Sequence, residues 1–207
     1  KALDLFCGAG GATKGLQRAG FHVTGVDIKP QKNYCGDAFV QADAVGPPLR
    51  LEAFDFVWAS PPCQAYSLAS QTQRNQGVEY PDLIEPTRAT LARAGIPFVI
   101  ENVPGAPIRG DLSICGCQVG LKLRRKRWFE TSWRHFALAH PCHHTEPVVS
   151  VVGHGTPTWV RKRLGFNPTI KHYRAAMGID WMNRGELSQA IPPAYSEFIA
   201  RAWLAQN

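Results

Sequence analysis

A parallel β-sheet covered by helices on both faces is predicted for residues 1–102 by three observations. Short apolar runs alternate with helical patterns. The runs are apolar almost throughout, as strands buried on both faces must be. The chemistry-bearing side chains fall just after these runs, at the sheet edge where ligands bind in such folds.

Residues 2–6 read as a buried first strand. A Gly-rich turn follows. Residues 12–19 then read as a helix, with Leu16 and Ala19 on one face and Gly20 as the stop. Residues 22–27 are the second strand, 39–41 a short third and 54–59 a fourth. Residues 81–94 are mostly helical, with Pro86 marking a kink or the true start. Gly95 ends that helix, and residues 97–101 are the fifth strand. From 131 to 185 periodicity is poor, so this stretch reads as an irregular lobe rather than more sheet. Pro192-Pro193 then opens a helix with Tyr195, Phe198, Ile199, Ala202 and Trp203 on one packing stripe. The expected organisation is a catalytic core over 1–130, a small lobe over 131–185 and a C-terminal segment over 186–207 that packs back on the core.

Two short motifs carry the sharpest chemistry. Pro61-Pro62-Cys63-Gln64 ends with the fourth strand's loop, and Glu101-Asn102-Val103 begins 38 residues after Cys63. A cysteine and a glutamate are what activation of a cytosine ring at carbon 5 requires. A thiolate added at carbon 6 makes the ring enamine-like and pushes electron density onto carbon 5. A carboxyl group at N3 supports the charge that develops there. Alone, the first motif is an ordinary turn with a buried thiol, and the second an ordinary strand end. A third segment, Asp4-Leu5-Phe6-Cys7-Gly8-Ala9-Gly10-Gly11, joins a strand to a helix through a turn that aims free amides at a ligand. Only Gly8 and Gly10 match the dinucleotide fingerprint, so a phosphate cradle is not the reading.

Together these segments resemble the DNA (cytosine-5) methyltransferases, in particular small members of phage or bacterial type. The Gly-rich segment is similar to that family's motif I, Pro-Pro-Cys-Gln to motif IV and Glu-Asn-Val to motif VI. Leu123-Arg124-Arg125-Lys126-Arg127 is similar to motif VIII, with Leu123 where the family has Gln. Residues 174–179 and 189–194 resemble motifs IX and X more loosely. The order is the family's and spans nearly the whole chain. The resemblance implies a class I, Rossmann-like, S-adenosylmethionine-dependent methyltransferase fold with a small inserted target-recognition lobe. It also implies S-adenosyl-L-methionine as donor and a cytosine flipped out of double-stranded DNA as substrate.

Residue roles follow from the same resemblance. Cys63 is the nucleophile, with basic neighbours expected to lower its pKa from the ordinary value of about 8.5. Glu101 meets N3, protonated or sharing a proton through partial burial. Of Arg125 and Arg127, one contacts the cytosine O2 and the other steadies the base pocket or a phosphate. Phe6, Gly8 and Gly10 wall the donor's methionine and ribose, with Pro62 also on the donor. Asp27 accepts from the ribose hydroxyls and Asp43 meets the adenine amine. Gln64, Ser67 and Arg74 lie on or beside a flexible loop over 65–77 that closes on DNA. Arg124, Lys126 and the cluster Arg161-Lys162-Arg163 contact phosphates. Base-reading residues are expected within 153–163, after a strand at 148–152. The motif X stretch lacks the family's Asn, so a donor bearing an added acidic group is an alternative. The family's RNA-directed branch and a non-catalytic DNA-binding paralogue are the others.

Bulk properties fit this reading. The 207 residues are 44% hydrophobic and carry a net charge of +7. Residues 122–185 hold 12 of the 23 Lys and Arg but only Glu130, Glu146 and Asp180 among acids, which suggests a surface for a polyanion. No apolar run reaches membrane-spanning length. A monomer in the cytoplasm of a bacterial or phage-infected cell is expected, with no membrane partner. All six cysteines are expected to be free thiols, since no secretory pattern precedes the first strand. Cys115-Gly116-Cys117, with His140, Cys142, His143 and His144, raises the question of zinc. One residue between the cysteines is tighter than the usual two to four. The default reading is therefore a reduced thiol pair, with no metal assigned and none required.

Overall fold

Four consecutive buried residues make β1 (Ala2–Leu5), an interior strand of the sheet. It pairs in parallel with β2 (Val23–Asp27) on one side and β4 (Phe56–Ala59) on the other. A strand flanked on both edges and covered on both faces admits apolar side chains; Asp4 is the exception, and it is hydrogen-bonded by Thr13. β3 (Ala38–Gln41) adds in parallel beyond β2, and β5 (Phe98–Asn102) beyond β4. β6 (Leu112–Ile114) and β7 (Arg127–Thr131) complete a seven-stranded sheet of order β3-β2-β1-β4-β5-β7-β6. β7 is antiparallel to both its neighbours. The computed structural model describes residues 1–134, 140–144, 146–152 and 156–206.

The strands and helices expected over residues 1–102 are present, each within a few residues of the expected bounds. β6 and β7 are not anticipated by the sequence. β6 has only three residues, and β7 carries Arg127 and Glu130 among its five, so neither shows a continuous apolar run. Glu130 is tolerated there because Arg88 takes both its oxygens at 2.8 Å.

Seven α-helices are present among the described residues. α1 (Gly11–Arg18) follows the Gly-rich turn, and α2 (Gln71–Asn75) lies within the loop over 65–77. α3 (Ile84–Ala94) starts just before Pro86, so that proline marks the first turn rather than a kink. α4 (Thr158–Leu164), α5 (Ile170–Met177) and α6 (Arg184–Gln189) follow, then α7 (Pro193–Leu204) with a proline in its first turn. The stretch expected to be irregular is thus partly helical. α4 and α5 have about two turns each, too short to display a period, and Gly165 and Gly178 end them in the left-handed conformation. Residues 148–152 form no strand, a correction to the sequence reading. Residues 153–155, part of the expected base-reading segment, lie outside the described residues.

The sheet separates two apolar layers. Leu3, Leu5, Val57 and Ile100 face Ile84 and Leu91 of α3. On the opposite face Phe56, Trp58 and Phe129 meet Leu16 of α1 and Tyr195 and Ile199 of α7. A Cβ at Gly15 would lie 2.0 Å from the Pro193 carbonyl oxygen, so α1 and α7 touch backbone to backbone. Ser196 fixes the contact by donating to the Ala12 carbonyl at 2.8 Å. A third cluster, with Leu123, Val151, Tyr173, Met177 and Leu187, holds α5 and α6 against the chain that enters β7.

Candidate active site

The carboxyl ends of β1, β2, β4 and β5 open into one cleft of about 580 Å³. Phe6, Gly8, Asp27 and Asp43 line it together with Pro62, Cys63, Gln64, Glu101 and Arg127, and Gln189, Ala190 and Ile191 of the α6–α7 connection add a wall. The turn after β1 is held in an uncommon shape. Gly8 and Gly10 have φ of 49° and 87°, and Phe6, at φ 59°, is the one non-Gly residue with positive φ among the described residues. Such conformations cost about 1–3 kcal/mol for a non-Gly residue and gather at functional sites. A Cβ at Gly10 would fall 2.7 Å from the Cys35 sulfur, and one at Gly11 only 2.3 Å from the Ile191 carbonyl oxygen. Gly11 lets the backbone form the cleft floor beside Ile191, whereas Gly10 packs against Cys35 and does not line the cleft.

Carboxylates brace this end. Asp27 accepts from the Gly8 amide at 3.0 Å and the Lys29 amide at 2.9 Å, tying the end of β2 to the turn after β1. Asp43 accepts from the Val45 amide at 2.9 Å at the cleft's edge. Asp4 lies beneath, accepting from the Thr13 hydroxyl at 2.6 Å. Burial pushes its carboxyl up to about 7, with the charges of Asp27 and Glu101 adding to the shift.

Cys63 and Glu101 meet at the other end. The Cys63 carbonyl accepts from the Tyr66 and Ser67 amides, closing a turn that fixes the residue after the prolines. Asn102 donates to the Pro61 carbonyl at 3.0 Å, tying this turn to the end of β5. The thiol is not activated at rest, contrary to expectation. Burial pushes its pKa up, the Glu101 charge adds to that, and Arg127 and Arg125 only partly offset it. Glu101 is likewise raised by burial, against the pull of Arg127, a hydrogen bond from Ser60, and Arg125. Its Oε1 lies 2.9 Å from Nε of Arg127. The Ser60 hydroxyl in turn accepts from the Trp58 indole at 2.9 Å. A raised carboxyl beside a guanidinium is suited to share a proton with a ring nitrogen.

The two arginines of the basic run part company. Arg127 reaches the cleft; Arg125 does not line it. Its guanidinium donates to the Val151 carbonyl at 3.0 Å and the Ser188 carbonyl at 2.7 Å. Burial, then the charge of Arg127, lowers its pKa to about 9. Arg125 thus lies behind the cleft, where only the second of the two roles expected for this pair, steadying the pocket, is open to it.

The expected nucleic-acid contacts lie outside the cleft, Gln64 excepted. The loop over 65–77 has structure of its own, since Arg74 Nη1 donates to the carbonyls of Gln64 and Ser67, both at 2.7 Å. Ser67 caps the following short turn. Arg124 donates through Nη2 to the carbonyls of His144 and Glu146. Lys126 is exposed or partly so, as are Arg161, Lys162 and Arg163 on α4. Sequence reasoning misses Ser60, Asn102, Asp4 and Glu186. Asn102 stands inside the quoted motif and could have been read from it. Glu186 reaches the cleft only through α6, where Asn33 donates to both its oxygens at 3.0 Å.

A family model described as C-5 cytosine-specific DNA methylase matches residues 1–107. That span covers the turn after β1, Cys63 and Glu101. Among solved structures, a DNMT2 mutant of Spodoptera frugiperda is similar with TM-score 0.60 and 14% identity, over 98% of this chain and 99% of that one. The methyltransferase EhMeth of Entamoeba histolytica is similar with TM-score 0.57 and 12% identity, over 99% and 98%. The Dnmt2 methyltransferase of S. pombe is similar with TM-score 0.57 and 12% identity, over 100% and 98%. A search of curated proteins returns no match. Identities this low speak for the fold, the Rossmann-like one of S-adenosylmethionine-dependent methyltransferases. The matched half of the chain, with the thiol and carboxyl it brings into one cleft, speaks for the chemistry: the chain belongs to the C-5 cytosine-specific DNA methylase family.

Proposed function

We propose that this chain transfers a methyl group from S-adenosyl-L-methionine to carbon 5 of a cytosine flipped out of duplex DNA. The observation that carries the reading is the single cleft that holds Cys63, Glu101 and Arg127 at one end and the Gly8–Gly10 turn with Asp27 at the other. Its volume of about 580 Å³ lies within the roughly 300–1,000 Å³ typical of small-molecule sites. The residues present fit the donor. Gly8 and Gly11 open the floor, Phe6 and Pro62 offer apolar walls, and Asp27 and Asp43 offer carboxylate oxygens at the cleft surface. The donor supplies an electrophilic methyl group.

The chain's residues do the rest. Cys63 gives its proton to solvent water and adds through sulfur to carbon 6 of the ring. Glu101, with its raised pKa, shares a proton with N3 as electron density moves toward carbon 5. Arg127 holds Glu101 in place and limits the charge left in the cleft. Once carbon 5 is methylated, its proton passes to a base such as water, and elimination returns the Cys63 thiolate. Duplex DNA is favoured by the family's description and by the basic residues gathered in 122–185. A flipped base is required because carbon 6 is covered within the stack.

The test is nucleoside mass spectrometry of plasmid DNA from a methylation-free host that expresses the chain. 5-Methylcytosine should appear with the wild type and not with Cys63→Ala. Methylation of transfer RNA but not of duplex DNA in parallel assays would replace the DNA reading with an RNA one.

A further inference from the structure

We infer that Cys115, Cys117, Cys142 and His144 bind one zinc ion, which ties the start of the target lobe to the edge of the sheet. The inference is independent of the proposed reaction. The four ligand atoms lie within 4.8 Å of one another. Cys117 and Cys142 sulfurs are 3.2 Å apart, Cys142 Sγ is 2.9 Å from His144 Nε2, and Cys115 Sγ is 3.4 Å from the same nitrogen. Tetrahedral zinc, with Zn–S of about 2.3 Å and Zn–N of about 2.0 Å, places its ligand atoms roughly 3.5–3.8 Å apart. The span of the four atoms brackets those values. A disulfide needs sulfurs about 2.0 Å apart, and it would use two of the four groups and leave the others facing it without purpose.

The set consists of two matching arms, Cys115-x-Cys117 after β6 and Cys142-x-His144 at the entry to the lobe. The one-residue spacing that argues for a simple thiol pair is answered by a second pair 25 residues on. Both arms are positioned by other contacts. The Gln118 side chain accepts from the Cys115 amide at 2.8 Å and donates to the His140 carbonyl at 2.6 Å. Arg124 holds the carbonyls of His144 and Glu146 at 2.8 and 2.9 Å. Three thiolates and an imidazole in a closed tetrahedron suit zinc, and four protein ligands leave no open position for catalysis. The ion is therefore structural. Arg124, expected on a phosphate, here props the metal-binding arm.

The test is elemental analysis of protein purified under reducing conditions without chelator. One zinc per chain is expected. It should be lost in Cys117→Ser/Cys142→Ser and in His144→Ala, and retained in His143→Ala. Should the double variant fail to fold, the wild type stripped by chelator and titrated with cobalt(II) serves instead. Thiolate-to-cobalt charge-transfer and intense tetrahedral d–d bands should appear at one equivalent. Wild type that carries no zinc and gives no such bands would overturn the inference. So would zinc retained by a folded double variant, or a Cys117–Cys142 disulfide in the protein purified under reducing conditions.

Discussion

Replacing Asp4 with Asn should stabilise the protein at alkaline pH while leaving its stability near pH 4 almost unchanged. Asp4 is buried in β1, and one of its oxygens has no hydrogen-bond donor among the described residues. Its carboxyl is raised from 3.8 to about 7, chiefly by desolvation. Below the unfolded value both states hold the proton, and the group contributes nothing to the pH dependence. Between the two values the native state holds a proton that the unfolded chain has released, so stability falls as pH rises. Above the native value both states are ionised, and the full cost of the buried anion is present. A shift of about 3 units at about 1.4 kcal/mol each gives at most about 4 kcal/mol. Asn cannot ionise, and it keeps an acceptor for the Thr13 hydroxyl. The stability difference, variant minus wild type, should therefore climb by up to about 4 kcal/mol between roughly pH 4 and pH 8. For a chain of this size that is on the order of 10 °C in melting temperature. Thermal and urea denaturation of both proteins across that range measures it. A difference that stays flat would show that Asp4 is ionised in the native state and that the burial argument is wrong.

Because burial and Glu101 raise the Cys63 thiol, adduct formation by the wild type should speed up as pH rises through neutrality, as rapid-quench assays across that range would show. Glu101→Gln should move that profile to lower pH, slow transfer by a factor on the order of 100, and leave donor affinity nearly unchanged; a large loss of donor binding would put Glu101 at the wrong end of the cleft. Gly11→Ala forces a Cβ to within 2.3 Å of the Ile191 carbonyl oxygen, so calorimetry should show weaker donor binding as the α6–α7 wall shifts. Replacing Arg161, Lys162 and Arg163 with Ala should flatten the log–log salt dependence of DNA binding by about 0.9 for each phosphate no longer neutralised. An unchanged slope would make the cluster a solvated face.

What is legible in the sequence is whatever is local. β1, β2, β4 and β5 announce themselves because a strand buried on both faces must be short and apolar, and α3 and α7 are long enough to show a stripe. Cys63 and Glu101 stand in compact motifs at strand ends, where the parallel sheet brings them together. What stays hidden depends on distant partners. Arg125 looks equivalent to Arg127, yet carbonyls 26 and 63 residues away draw it out of the cleft. The Cys63 thiol looks activated because basic residues follow in the chain, but burial outweighs them. β7 is masked by the charges it carries, although Glu130 is matched by Arg88, 42 residues earlier. α4 and α5 are too short to show a period. The Cys115-x-Cys117 spacing looks too tight for a metal until the fold brings Cys142 and His144 against it.

The proposed mechanism stands or falls on covalent attachment of Cys63 to cytosine in the course of methyl transfer. Duplex DNA containing 5-fluorocytosine traps that species, because fluorine cannot leave carbon 5 as a proton does. After incubation with S-adenosyl-L-methionine, peptide mass spectrometry should find the modified nucleotide on Cys63 and nowhere else, and Cys63→Ala should form no adduct while keeping its fold. An adduct on another cysteine such as Cys7 or Cys35, or methylation of ordinary cytosine by the Cys63→Ala protein, would refute the covalent role of Cys63.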